Sequence, residues 1–148
     1  MNLSHYHSVP FELDHEYKYH QSTGPKPSGL WVSVDGEYDW REWCTVEGFN
    51  TEDLAVQHRV ILKPDANIWH LTEPEQLRRV PTRDMHHVRW DVPWPRIAED
   101  FQGIIISPYQ WSVRMELLWY YGWDCASGCI WDLSAIEKME VMDEARNL

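Results

Sequence analysis

The stretch that decides the fold is Gly122-Trp123-Asp124-Cys125-Ala126-Ser127-Gly128-Cys129-Ile130-Trp131-Asp132. In it, a short polar turn between two tryptophans leads directly into an apolar run. This pattern is typical of a loop that places a carboxylate and a hydroxyl at the mouth of a pocket before a core strand begins. We therefore predict a strand over residues 129–132 and a candidate site around Asp124 and Ser127.

A second stretch has the same arrangement, Lys26-Pro27-Ser28-Gly29-Leu30-Trp31-Val32-Ser33. Here a turn built from proline and glycine precedes a strand over residues 30–34. That strand carries Trp31 and Ser33. Two polar turns flanked by aromatic residues in one small domain indicate a flat, partly aromatic ligand.

Length and charge restrict the class of protein. The chain has 148 residues, which suits one domain, residues 1–148, with one core. Its net charge of -11 makes nucleic acid a less favoured partner, because affinity for a phosphate backbone comes from Lys and Arg. A local basic site stays open, since several basic residues cluster in the middle of the chain: Arg78, Arg79, Arg83, His86, His87 and Arg89.

Cysteine usage and hydropathy predict a cytoplasmic protein. There are three cysteines, an odd number, and the polar N-terminal segment lacks the apolar core of a signal peptide. No window approaches the roughly 20 apolar residues of a membrane span. We expect no bound metal either, because Cys125 and Cys129 are the only closely spaced pair and adjacent His86 and His87 cannot easily face one ion.

Periodicity predicts strands interleaved irregularly with short helices. The predicted strands cover residues 3–9, 30–34, 58–63, 66–71, 103–107 and 129–132. The predicted helices cover residues 38–44, 73–79, 94–101 and 112–121, and a capping box at residues 134–137 predicts a C-terminal helix. No spacing suits repeated βαβ units, so the class expected is α+β.

This order of elements resembles the ADP-ribosyltransferase superfamily, particularly its small bacterial and phage members. The first strand resembles the family's opening strand, where a basic residue contacts the NAD ribose, and Gly29 to Ser33 resembles its second strand. The segments that carry the resemblance are Ser4-His5-Tyr6-His7-Ser8, Gly29-Leu30-Trp31-Val32-Ser33, residues 58–71, Asp100-Phe101-Gln102-Gly103-Ile104 and Ser127-Gly128-Cys129-Ile130-Trp131-Asp132-Leu133-Ser134-Ala135-Ile136. The resemblance implies split mixed β-sheets around a cleft, with short flanking helices.

The resemblance also implies a site that uses NAD as co-substrate. Where the family has its catalytic glutamate this chain has Ser127, and the nearest carboxylate is Asp124, three residues earlier. The catalytic candidates are therefore Asp124, which would stabilise an oxocarbenium-like ribose, and Ser127. The cofactor-binding candidates are His7, Trp31, Ser33, Tyr109 and Trp111. The expected activity is transfer of ADP-ribose to a macromolecular acceptor. The acidity of the chain favours a protein over a nucleic acid as this acceptor.

Alternatives for the same residues stay open at this point. Asp124 could cap the turn before the last strand, Trp31 could be core, His7 structural, and Ser33 bonded to a neighbouring backbone group. The whole chain could also be a non-catalytic interaction or ligand-binding module, such as a small phage or bacterial accessory or inhibitor protein. Cysteine catalysis lacks a local signature, and no glycine-rich phosphate loop is present.

Overall fold

A computed structural model describes residues 1–36, 38–49, 51–85 and 88–142. The strands within them are β1 (Leu3–His7), β2 (Leu30–Val34), β3 (Val56–Leu62), β4 (Ile68–Leu71), β5 (Arg83–Met85), β6 (Val88–Asp91), β7 (Gly103–Ile106), β8 (Ser127–Ile130) and β9 (Ile136–Val141). The helices are α1 (Trp40–Glu47), α2 (Pro74–Arg78), α3 (Trp94–Ile97) and α4 (Leu118–Tyr121), with 3₁₀ turns at Thr51–Leu54, Trp111–Val113 and Leu133–Ala135. None of these helices is long and apolar enough to span a membrane.

Seven of the strands form one mixed sheet in the order β4-β7-β8-β2-β1-β3-β9. β4 and β7 are parallel, and every other neighbouring pair in this sheet is antiparallel. β5 and β6 form a separate antiparallel hairpin. The α+β class predicted from the sequence is confirmed, with a mixed sheet and short helices.

The sheet is weakly joined at its centre, between β1 and β2. These two strands pair only at Leu3 with Val34 and at Ser4 with Ser33. By contrast, five residue pairs join β1 to β3, and four join β2 to β8. The seven-stranded sheet is therefore hydrogen-bonded between β1 and β2 at one end of these strands only. Along the rest of their length the two strands are separated.

Most of the core lies on the half of the sheet that contains β7 and β8. Ile104, Ile106 and Ile130 are completely buried, as the apolar run of residues 104–106 predicted. Gly128 is required here, because a Cβ at this position would lie 2.6 Å from the main-chain oxygen of Ile104. Trp119 and Trp131 are also core residues. Close packing of these strands fixes the loop that precedes β8.

Two helix predictions are wrong. The capping box at residues 134–137 begins no helix: the Asp132 carboxylate accepts a hydrogen bond from the Ser134 amide, a 3₁₀ turn follows, and β9 then pairs with β3. Pairing with the free edge of β3 outweighed the local helix signal. The predicted helix over residues 112–121 is interrupted, so that only the 3₁₀ turn and α4 form. His86, His87 and the acidic end at residues 143–148 lie outside the described residues.

Candidate functional site

A cavity of about 540 Å³ opens where β1 and β2 separate. This volume is within the range of small-molecule and cofactor pockets, about 300–1,000 Å³. Both strands, the start of α1, the segment that follows α1 and the turn before β8 form its walls. The residues that line it are Ser4, His5, Tyr6, His7, Lys26, Trp31, Val32, Ser33, Trp40, Phe49, Asp53, Trp123, Asp124, Cys125 and Ser127.

Five of the seven site residues proposed from the sequence meet in this cavity: His7, Trp31, Ser33, Asp124 and Ser127. The two others, Tyr109 and Trp111, are not among the described residues that line it. The buried Tyr109 hydroxyl donates a 2.6 Å hydrogen bond to the Trp123 carbonyl, so it supports the cavity wall from behind. Trp111 is 54% exposed and packs on the rings of Tyr38 and Tyr109.

The Asp124 carboxylate is half-buried in the turn before β8. Burial raises the pKa of this carboxyl, the positive charges of Lys26 and Arg114 act in the opposite direction, and Glu47 raises the pKa further. Among the hydrogen bonds of the described residues, none uses the Asp124 side chain, so a turn-capping role for it is not observed. The Asp124 carboxylate lines the cavity, partly desolvated and without a hydrogen bond from the described residues.

The two serine hydroxyls of the site bond to backbone groups. Ser33 and Ser127 face each other across the β2–β8 ladder. The Ser33 hydroxyl accepts a 2.9 Å hydrogen bond from the Trp40 amide at the start of α1, and the Ser127 hydroxyl donates a 3.0 Å bond to the Cys125 carbonyl. Ser33 thus satisfies a neighbouring backbone group, which was one of its open alternatives. Ser127 fixes the turn that presents Asp124.

Histidines form the opposite wall. The Nδ1 of His5 lies 2.7 Å from the Trp31 carbonyl, and because a carbonyl only accepts, Nδ1 carries the proton. Burial lowers the pKa of His5, the bond to Trp31 raises it in part, and the neighbouring His58 and His7 lower it further. Its Nε2 is buried with no hydrogen-bond partner in the described part of the chain. The lowered pKa favours the neutral form of His5, in which Nε2 is an acceptor without a partner among the described residues.

His7, the histidine chosen from the sequence, is held less firmly than His5. Its Nδ1 lies 3.2 Å from the Val9 carbonyl, and its ring lies against Phe11. His58 stands behind both residues, where its Nε2 accepts from the Phe11 amide and its Nδ1 donates to the His5 carbonyl. The signal that could have found His5 is strand periodicity, since His5 and His7 share one face.

Aromatic rings make up much of the remaining lining. Trp31 and Trp123 meet edge to face with their ring centroids 5.0 Å apart. The Lys26 ammonium lies 5.6 Å from the centroid of the Trp31 ring. Trp40 and Phe49 close another side. Sequence reasoning did not assign Lys26, Trp40, Phe49, Asp53 or Trp123 to the site, although Lys26 and Trp123 lie within the two stretches that it singled out.

The cysteines are unsuited to nucleophilic chemistry. Cys125 lines the cavity, but burial raises the pKa of its thiol to about 12, and burial also raises the pKa of Cys44 to about 11. The thiol is therefore the stable form at neutral pH, whereas the nucleophile would be the thiolate. The described residues contain no group of three or more His, Cys, Asp or Glu side chains that could hold a metal ion.

In comparisons with known proteins, the chain matches no protein-family model, no curated protein and no solved structure.

Proposed function

We propose that the protein binds NAD in the cavity between β1 and β2 and transfers ADP-ribose to a protein acceptor, as an ADP-ribosyltransferase-like protein of the cytoplasm. The observation that carries the proposal is the meeting of His7, Trp31, Ser33, Asp124 and Ser127 in one cavity. The opening of the sheet between its two central strands is consistent with the split sheets of that superfamily. The partly aromatic lining suits the nicotinamide and adenine rings.

In the proposed transfer of ADP-ribose, the main catalytic role belongs to Asp124. When the bond between the ribose C1′ and the nicotinamide nitrogen breaks, its electron pair leaves with nicotinamide, and positive charge develops on the ribose. A carboxylate beside the ribose stabilises that charge. A nucleophile of the acceptor then bonds to C1′, and its proton passes to the Asp124 carboxylate and on to solvent. Trp31, which the buried Trp123 supports edge to face, would hold the nicotinamide ring, and His7 on the cavity wall would form a hydrogen bond with a ribose hydroxyl.

One observation favours a second candidate function, a binding module without catalysis. The position of the family's glutamate is occupied by Ser127, whose hydroxyl is already bonded to the Cys125 carbonyl and carries no charge. In this case the cavity holds a flat ligand or a partner's side chain, and no bond is broken. The two functions differ in whether Asp124 is needed for chemistry.

The deciding experiment is to incubate the purified protein with NAD that is labelled in its nicotinamide group. We expect saturable binding by calorimetry and release of labelled nicotinamide, accelerated when acceptor protein is supplied from a bacterial extract. Binding without release would establish the non-catalytic alternative. If the protein neither binds NAD nor releases nicotinamide, the proposed function is wrong.

A further inference from the structure

A partly exposed group of aromatic side chains lies at the edge of the cavity. It consists of Trp40, Trp43 and Phe49, which we call the aromatic rim. The two indole rings are stacked with centroids 5.2 Å apart and planes 12° from parallel. The ring of Phe49 meets both of them nearly edge-on. Phe49 is 47% exposed, and the neighbouring Val46 is 75% exposed, so apolar surface here faces solvent.

Three carboxylates lie on the chain segment that carries this rim or directly after it. Glu47 lies one helical turn after Trp43 on the same side of α1, and Asp53 lines the cavity beside Phe49. Glu52 is exposed in the 3₁₀ turn next to Asp53. Within the described segments none of these three carboxylates forms an ion pair. No cation of the described residues therefore pairs with the carboxylates of the rim.

The one cation on α1 is directed elsewhere. The guanidinium of Arg41 lies 5.2 Å from the centre of the Tyr6 ring, and it reaches the Gln57 side-chain oxygen at 3.5 Å. Lys26 is held over Trp31 inside the cavity. Aromatic faces next to unpaired carboxylates form a site for a cation, because the ring quadrupole and the full charges attract it together.

We propose that the aromatic rim docks a basic segment of a partner protein, with arginine side chains stacked on Trp40 and Trp43 and paired with Glu47 and Asp53. Arginine fits this surface better than lysine, since its planar guanidinium stacks on rings while it donates hydrogen bonds to a carboxylate. The rim adjoins the cavity, so a docked segment would bring its side chains to Asp124. The identification of this segment as the acceptor rests on the proposed function, whereas the docking itself needs no NAD.

The test uses the full chain and three short peptides, oligo-arginine, oligo-lysine and oligo-glutamate, with affinity measured by calorimetry at low and at moderate salt. We expect oligo-arginine to bind most tightly, oligo-lysine more weakly and oligo-glutamate not at all. Trp43→Leu retains apolar bulk but removes the aromatic face, and should weaken oligo-arginine binding about tenfold. The double variant Glu47→Gln/Asp53→Asn should weaken it by a similar factor and reduce its salt dependence.

Matched controls separate this rim from the general acidity of the chain. Trp69→Leu changes another partly exposed tryptophan that is stacked on an aromatic ring, and Glu99→Gln changes an exposed carboxylate of α3's C-terminal turn. Neither should alter the affinity. Circular dichroism and melting temperature identify any variant that fails to fold, and Trp43→Phe then replaces Trp43→Leu, with binding retained in part.

Three outcomes would overturn the docking proposal: no binding of oligo-arginine to the wild-type chain, equal binding of oligo-glutamate, or equal loss in the rim and control variants. Self-association that occupies the rim and excludes the peptide would also overturn it, in favour of a second copy of the chain. Nicotinamide release from NAD is measured on the same preparations. Release without peptide binding refutes the rim alone, and binding without release refutes the proposed function alone.

Discussion

The side chain of His5 connects β1 to β2 beyond the point where the backbone pairing of these strands ends: its Nδ1 donates a 2.7 Å hydrogen bond to the main-chain oxygen of Trp31 on β2. The backbones of β1 and β2 pair only at one end, so this bond joins them across the open part. An imidazole is wider than a direct backbone contact. The His5 side chain therefore bridges the gap between the two strands, and both His5 and Trp31 line the cavity that opens there.

Substitution of His5 should alter both stability and the cavity. His5→Leu removes the donor to Trp31, and we expect the free energy of unfolding in urea to fall by about 1 kcal/mol. His5→Asn should recover most of this loss, because its amide nitrogen can donate from nearly the same position. His7→Leu is the matched control, since His7 bonds only to its own loop. Equal losses for His5→Leu and His7→Leu would contradict the role given to His5.

Asp124→Asn should abolish catalysis and leave the fold intact. The change preserves shape and removes charge, so we expect nicotinamide release to fall on the order of 10²-fold or more. Asp65→Asn, which alters an exposed carboxylate in the turn between β3 and β4, should have full activity. Undiminished release by Asp124→Asn would exclude the mechanism proposed here.

The pH dependence of stability should show that the ionised Asp124 carboxylate destabilises the folded state. Burial raises the pKa of this carboxyl above the 3.8 of an unperturbed aspartate, so its ionised form carries an unfavourable contribution in the folded state. That contribution is absent below about pH 3.8 and appears as pH rises through the folded-state pKa. Asp124→Asn should therefore melt at the same or a higher temperature than wild type at pH 7, with no difference at strongly acidic pH. A lower melting temperature at pH 7 would show that the carboxylate stabilises the fold.

A pair of glycine substitutions tests the packing behind the site. Gly128→Ala would place a Cβ 2.6 Å from both the Ile104 oxygen and a side-chain carbon of Ile105. We expect a loss of about 1 to 3 kcal/mol in the free energy of unfolding, as for other overpacked cores. At Gly24 an added Cβ meets nothing within 4 Å, so Gly24→Ala should be close to neutral. Similar effects at the two positions would show that β7 and β8 are less closely packed than described.

Thiol titration checks the burial of the cysteines. Cys44, Cys125 and Cys129 are unpaired and buried, and burial raises the pKa of all three. A thiol reagent at pH 8 should therefore label none of them in the native protein and all three after denaturation. Rapid labelling of Cys125 before unfolding would contradict the burial described for its thiol.

Much of the fold could be predicted because local signals and burial agree. The strand over residues 30–34 has the predicted bounds, and the apolar run at residues 104–106 is a fully buried strand. Prediction of secondary structure from the sequence failed where pairing with a strand distant in the chain determined the structure. Residues 136–141 became a strand because β3 offered a free edge, and the short hairpin of β5 and β6 had no clear periodic signal.

The site divides in the same way. Asp124, Ser127, Trp31 and Ser33 could be found because turn residues next to aromatic residues mark a loop ahead of a strand. Tyr109 and Trp111 were expected at the ligand, but they lie behind the wall and on the surface, because a run of aromatic residues does not indicate which ring faces a cavity. Asp53 and Phe49 come from the segment after α1, and only the packing of its 3₁₀ turn against β1 brings them to the mouth.

The order of strands in the sheet also has a kinetic consequence. β2 pairs with β8 through residues as far apart as Leu30 and Ile130, and β3 pairs with β9 through His58 and Val141. Chains dominated by such distant contacts fold slowly, in milliseconds to seconds, because long loops must close before the contacts stabilise them. During synthesis β1, β2 and β3 emerge well before the strands that cover them. Their apolar faces and open edges would stay exposed in the nascent chain until β8 and β9 are synthesised. A chaperone would protect this exposed state from aggregation.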